Sequence, residues 1–317
     1  MTGTGTQNDP FIISDWTDFI TAVGTSGAYV EFPKNLVRTA DTDVDSNKLY
    51  TDVNGIVQTN VQPSDLAGLY ENTFLLDAND YAPAGITSTI TINCTSINGN
   101  GGYIKNLASN SADIFTTAVT PEISQLAILN INVEDTAFIT GSSGVHYDKC
   151  IFSGRAKGSS GTHRVFGGNT NSHSSIYYSC AFTFDLIGSY DLFNYLDWYG
   201  FAYAGPLYDC RLSITHIDRG GITAGGTLWV RLENSYLTGV IAGTVSITIT
   251  AQSHYSVIEV ENSGSISVND AQGGTVQLIL INDELYTGTI PTGCRGVTTA
   301  QLKDASYLSS IGFPVQT

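Results

Sequence analysis

Between Tyr147 and Leu237 the chain writes nearly the same heptapeptide four times. The copies are Tyr147-Asp-Lys-Cys150-Ile-Phe152-Ser, Tyr177-Tyr-Ser-Cys180-Ala-Phe182-Thr, Leu207-Tyr-Asp-Cys210-Arg-Leu212-Ser and Leu232-Glu-Asn-Ser235-Tyr-Leu237-Thr. Aligned on the cysteine, which is serine in the fourth copy, they are spaced by 30, 30 and 25 residues. An apolar residue lies three places before it and another two places after it. A unit this short cannot bury its own apolar face, so stacked copies must build the core together.

Each copy is a strand-length run bounded by Gly, Ser, Asn and Thr. None carries a helical period, and the leucine-rich pattern is absent. Strands that recur at this spacing, all in one direction, predict a parallel β-helix with successive coils about 4.8 Å apart. Equivalent positions then stack. Cys150, Cys180 and Cys210 form one predicted interior ladder, and Phe152, Phe182 and Leu212 another. Five cysteines in so long a chain are no disulfide framework. They read as buried thiols acting as small hydrophobes, and a metal site built from three of them would need convergent geometry.

The expected fold class is therefore all-β: a single-stranded, right-handed parallel β-helix with a capping helix at each end. About seven or eight coils make a core about 35 Å long. Residues 1–92 read as an N-terminal cap and irregular first coils, 93–297 as the coils, and 298–317 as a C-terminal capping helix and tail, all in one domain. The first helix spans about residues 14–23, with Ser14 as its cap, Trp16, Phe19, Ile20 and Val23 on one face, and Gly24 at its end. In the last, Thr298 and Gln301 fit a capping box, and Leu302, Ala305, Leu308 and Ile311 give an apolar stripe. Ile258-Glu-Val-Glu-Asn-Ser263 reads as a degraded copy of the repeat.

The net charge of −16 repels phosphate backbones and anionic membranes, so neither nucleic acid nor a membrane surface is an expected partner. No apolar run approaches a membrane span, and Met1-Thr-Gly-Thr-Gly-Thr has no secretory signal character. The acidic segment Asp41, Asp43, Asp45, Asn47 and Asp52 partly matches a calcium loop, but Ser46 replaces the turn glycine and Asp52 the bidentate glutamate. It also fits the solvent face of a strand or a plain acidic turn. Calcium is thus a candidate ion, and no cofactor is required.

No nucleophile, zinc or phosphate-loop motif occurs, so no catalytic residue is assigned. Glycoside hydrolysis needs two carboxylates about 5–10 Å apart. Asp185, Asp191, Asp197, Asp209, Asp218 and Glu233 are available but scattered. A lyase would want an Arg or Lys base, and Arg211 and Arg219 lie near His216 and Asp218 only in sequence. The richest local anomaly is aromatic. Tyr190, Phe193, Tyr195, Trp198, Tyr199, Phe201, Tyr203 and Tyr208 interleave with Asp191, Asn194 and Asp197 between two repeat anchors. Aromatics beside Asp and Asn suit sugar stacking and protein contact alike, although some must belong to the core. The candidate ligand surface is Tyr190, Asp191, Tyr195, Asp197, Trp198, Tyr199 and Tyr203. Trp229 extends it on the face it shares with Arg231 and Glu233.

With those residues in hand the chain resembles pectin-lyase-like right-handed parallel β-helix proteins, of the kind found in bacteriophage tails and as bacterial surface adhesins. The opening Gly3-Thr-Gly-Thr-Gln-Asn-Asp-Pro10-Phe-Ile-Ile-Ser-Asp-Trp16 and the closing Leu302-Lys-Asp-Ala-Ser-Tyr-Leu-Ser-Ser-Ile-Gly312-Phe-Pro are similar to the ends of such proteins. The resemblance covers most of the chain as architecture, its motifs are loose, and it carries no catalytic set across. It implies a non-enzymatic structural or receptor-binding protein of the virion, tail, fibre or spike-like, or of the bacterial surface. Its partners would be other virion proteins, a surface glycan, or both, and its oligomer a homotrimer in many relatives. A polysaccharide depolymerase and a ligand-free decoration protein are the alternatives.

Overall fold

The computed structural model describes residues 1–33, the short strands at 50–51, 57–58 and 75–77, and residues 86–314 except 106, 142–143, 168–174, 194–205, 217–224, 226, 244, 251, 263 and 270–275. Its strands pair in parallel along a continuous stack. The exceptions among the described residues are the antiparallel pair Tyr50–Thr51 with Val57–Gln58, and isolated bridges at Thr2 and Thr6. This is an all-β, parallel-stranded solenoid.

Three columns of strands run through the stack. In the first, Ile90–Ile92, Phe115–Thr117 and Ile139–Gly141 lie in register, and Phe166 and Phe193 continue the line. In the second, Tyr29–Glu31 is followed by Ser96–Asn98, Glu122–Ser124, His146–Asp148, Ile176–Tyr178, Pro206–Tyr208 and the end of Thr227–Glu233. In the third, Ile104, Ile128, Phe152, Phe182, Leu212, Leu237, Ile258 and Ile281 occupy successive places. All eight are buried. Burying each such side chain stabilises the stack by about 1.5–3 kcal/mol, which is why an unbroken apolar column fixes the register.

The interior between columns is aromatic in the middle coils. Tyr147 stacks on Tyr177 at 5.1 Å and Phe152 on Phe182 at 5.3 Å, one coil apart in each case. Phe166 meets Phe138, Phe152, Phe182 and Phe184 edge-on at 5.0–5.9 Å. Gly154 lies beside Phe184 in the register. A Cβ on Gly154 would sit 2.1 Å from the Ile131 carbonyl oxygen, so the small residue is required there by the neighbouring coil.

A single-residue bend joins the second and third columns. Gln125, Lys149, Ser179, Asp209, Asn234, Tyr255 and Leu278 all sit there with φ between 45° and 55°. Non-glycine residues pay about 1–2 kcal/mol for this left-handed conformation. The bend keeps its backbone satisfied: the N–H groups of Lys149, Ser179, Asp209 and Asn234 donate to the carbonyls of Tyr178, Tyr208, Glu233 and His254 at 2.8–3.0 Å.

Directly after the bend comes the sulfur column. Cys150, Cys180 and Cys210 are fully buried, and Ser235 and Ser256 extend the line. The Cys210 N–H donates to Ser235 Oγ at 3.0 Å, and the Ser235 N–H donates to Ser256 Oγ at 2.9 Å. Cys150 Sγ donates to the Ile123 carbonyl at 3.3 Å and Ser235 Oγ to that of Leu207 at 2.8 Å. Hydroxyl and thiol are thus interchangeable in the place, since both satisfy the same carbonyls. The next copy of the heptapeptide is Ser253–Glu259, not the Ile258–Ser263 read from sequence. Glu233 pairs with His254 and Leu237 with Ile258, because the coil shortens and Ser253 takes the place of Leu232.

Helices stand at both chain ends. Helix α1 is Trp16–Gly24, and its N-cap is Asp15, whose carboxylate accepts from the Asp18 N–H. Ser14, the cap expected from sequence, instead bonds the Asp18 side chain. Trp16, Phe19 and Val23 are buried, and Phe19 meets Phe32 and Phe115 edge-on at 6.1 and 6.4 Å. The C-terminal segment forms two short helices rather than one, α2 (Thr299–Leu302) and α3 (Ala305–Ser310). The Thr298–Gln301 capping box is present, and Asp304 breaks the run by capping α3. Neither helix has a fully buried residue, and Leu302, Leu308 and Ile311 are only partly buried, unlike Trp16, Phe19 and Val23 of α1.

Candidate ligand-binding surface

The residue just before each bend points outward. In register these are Asp148, Tyr178, Tyr208, Glu233 and His254. Strand alternation produces the arrangement, because Tyr147, Tyr177, Leu207 and Leu232 beside them face the core. Tyr178 and Tyr208 stack with their ring centroids 4.9 Å apart and planes 10° apart. Tyr178 is 43% exposed, the most open large apolar side chain among the described residues. Burial, then the nearby Glu233 carboxylate, raises the Tyr208 phenol pKa. It therefore stays protonated as a hydrogen-bond donor at neutral pH.

Charged groups adjoin the tyrosines. Arg231 Nη2 donates to Glu233 at 2.8 Å, while Arg231 Nε is buried with no partner among the described residues. On the bend, the Asn234 amide bonds the Asp209 carboxylate. Trp229, Arg231 and Glu233 share one face of their strand, with Leu228, Val230 and Leu232 buried between them. Across the bend, Arg211 lies over the Tyr236 ring, 5.7 Å from its centroid.

Tyr190 and Asp191 belong to the strand Ala181–Phe193, opposite His163 and Arg164. Their side chains, and the whole of Tyr195, Asp197, Trp198, Tyr199 and Tyr203, lie outside the described residues. Phe193, from the same aromatic run, is a core residue. The calcium candidate of Asp41, Asp43, Asp45, Asn47 and Asp52 also lies outside the described residues. Among the described residues no group of three His, Cys, Asp or Glu side chains is placed to hold a metal.

The structure separates Arg211 from His216, which had lain near one another only in sequence. Residues 211–216 alternate, so Arg211 faces out while His216 is buried with Nε2 2.8 Å from the Gly188 carbonyl oxygen. Asp185 pairs with Arg155 at 3.2 Å on an outward strip. Sequence reasoning missed Tyr178 as a surface residue. The signal was present: it is the second residue of its heptapeptide, where Asp148, Tyr208 and Glu233 stand in the other copies.

No helix among the described residues is long and apolar enough to cross a membrane. Comparison of the chain with protein-family models, with curated proteins and with solved structures finds no match.

Proposed function

We propose that the protein is a non-enzymatic glycan-binding solenoid: a right-handed parallel β-helix of pectin-lyase-like kind, closed at its ends by helices, that serves as a structural or receptor-binding component of a phage tail or a bacterial surface assembly. The observation that carries the binding role is the stacked, outward Tyr178–Tyr208 pair. A pyranose ring presents an apolar C–H face and a rim of hydroxyls. Paired phenol rings match the first, and Glu233, Asp209, Asn234 and Arg231 beside them match the second. The rigid parallel stack supports the role, since a fixed platform loses little entropy on binding. Calcium, a trimeric assembly and contacts with other virion proteins are compatible additions.

The test is a glycan array of bacterial surface saccharides, read with wild type, Tyr178→Ala and Tyr208→Ala, beside a reducing-sugar assay on each hit. Binding that both substitutions abolish, without cleavage, is the expected result. Turnover of a bound glycan would overturn the non-enzymatic reading. Binding indifferent to both tyrosines would move the site elsewhere.

A further inference from the structure

Arg211 is half-buried on its outward face and has no carboxylate partner among the described residues. Arg155 and Arg231, by contrast, each bond an acid, Asp185 and Glu233 respectively. Among the described residues the only partner of the Arg211 guanidinium is the Tyr236 ring beneath it. The register explains how it is held: Ala181 precedes it and Tyr236 follows it in the third column. The alanine leaves room, and the ring lies on the other side of the guanidinium. Burial lowers its pKa, the direction expected of a cation short of counter-charge. A half-desolvated, unpaired cation is unusual in a chain of net charge −16, where acids outnumber bases 29 to 13. A guanidinium presents paired N–H donors to a planar or tetrahedral oxyanion.

We infer that Arg211 is the anion-recognising position of the surface, selecting saccharides that carry a carboxylate or sulfate group. The inference rests on the glycan-binding reading. Arg211 follows Tyr208 by three residues, across the bend at Asp209. One saccharide can therefore stack on the tyrosines and turn its acidic substituent over the bend toward the guanidinium. Thr183, Ser213 and Thr238 lie in register on the same outward strip and offer hydroxyls to the sugar rim.

The experiment measures affinities of the full chain for three probes of equal length: a hyaluronan oligosaccharide bearing carboxylates, a sulfated dextran oligosaccharide and neutral dextran. Wild type is expected to bind at least one acidic probe about tenfold or more tighter than dextran, the worth of one charge-assisted hydrogen bond. The preference should shrink as salt rises. Arg211→Gln should remove it while dextran still binds, and Arg211→Lys should keep part of it. Equal affinity for charged and neutral probes, no binding of either acidic probe, or full preference in Arg211→Gln overturns the inference. The first and last of these leave the tyrosine platform standing, whereas loss of every array hit sinks the parent reading as well.

Discussion

The backbone N–H of Cys180 points at the sulfur of Cys210, 3.4 Å away, although the two residues lie a full coil apart in sequence. This contact belongs to a line of small polar side chains behind the bend, running Cys150, Cys180, Cys210, Ser235, Ser256. Each offers an acceptor to a neighbouring coil. The interior place is thus narrow, dry and already hydrogen-bonded.

Cys180→Asp should therefore destabilise the fold severely, by about 4 kcal/mol or more, because a carboxylate would enter without a counter-charge. Cys180→Ser should be mild, about 1 kcal/mol, since Ser235 shows that the hydroxyl fits. Urea denaturation checks both. Near wild-type stability of the aspartate variant would contradict an inward thiol.

The thiols should be inert in the native state. Burial pushes the pKa of Cys94 up to about 12 and that of the half-buried Cys294 to about 11, and raises those of Cys150 and Cys180 well above the ordinary value. Iodoacetamide at pH 8 should leave Cys94, Cys150, Cys180 and Cys210 unmodified, react slowly with Cys294, and label all five after denaturation. Mass spectrometry reads the labelled sites.

The same burial predicts alkaline lability. Cys94, Cys150, Cys180 and Cys294 have raised folded pKa values, so the unfolded chain releases their protons first. Stability should hold up to about pH 9 and then fall by about 1.4 kcal/mol per pH unit for each thiol that ionises only on unfolding. Cys94→Ala should flatten that slope by one thiol's share. A slope unchanged by this variant would contradict the burial of Cys94.

Two glycines with positive φ should respond differently to alanine. A Cβ on Gly239, φ 136°, would lie 1.8 Å from the Ile214 carbonyl oxygen of the preceding coil, whereas one on Gly27, φ 73°, meets nothing within 4 Å. Gly239→Ala should cost about 3 kcal/mol or more, and Gly27→Ala about 1–2 kcal/mol for backbone conformation alone. Thermal melts should rank them in that order.

The bend makes an opposite prediction. Tyr255 is held at φ 45° on the surface. Tyr255→Gly should release about 1–2 kcal/mol of conformational strain, partly offset by the freer unfolded glycine, for a net gain near 1 kcal/mol. A lower midpoint in urea would contradict the strained bend.

What was legible in the sequence follows from chemistry that repeats. The sulfur column could be read because the interior place accepts few side chains, and cysteine fills it three times. The bend could not, because it constrains the backbone and leaves the side chain free. Gln125, Lys149, Ser179, Asp209, Asn234, Tyr255 and Leu278 share a conformation and no composition. The later coils hid for a related reason. Once serine replaced both Cys and Leu, the copy at Ser253–Glu259 no longer looked like its predecessors. The aromatic run after Tyr190 drew the eye by composition, yet its described members divide by strand alternation, Phe193 inward and Tyr208 outward. Tyr178 escaped notice because it stood inside a motif valued for its core residues.

The central claim is that chain segments one coil apart lie side by side in register. Disulfide trapping tests it most directly. Neighbouring strands about 4.8 Å apart fall within the Cα separation that a disulfide spans, and strands two coils apart do not. Tyr178→Cys combined with Tyr208→Cys should form an intramolecular bond under mild oxidation, whereas Tyr178→Cys combined with Glu233→Cys should not, with peptide mass mapping as the readout. Failure of the first pair, or equal trapping of the second, would contradict the stacked coil.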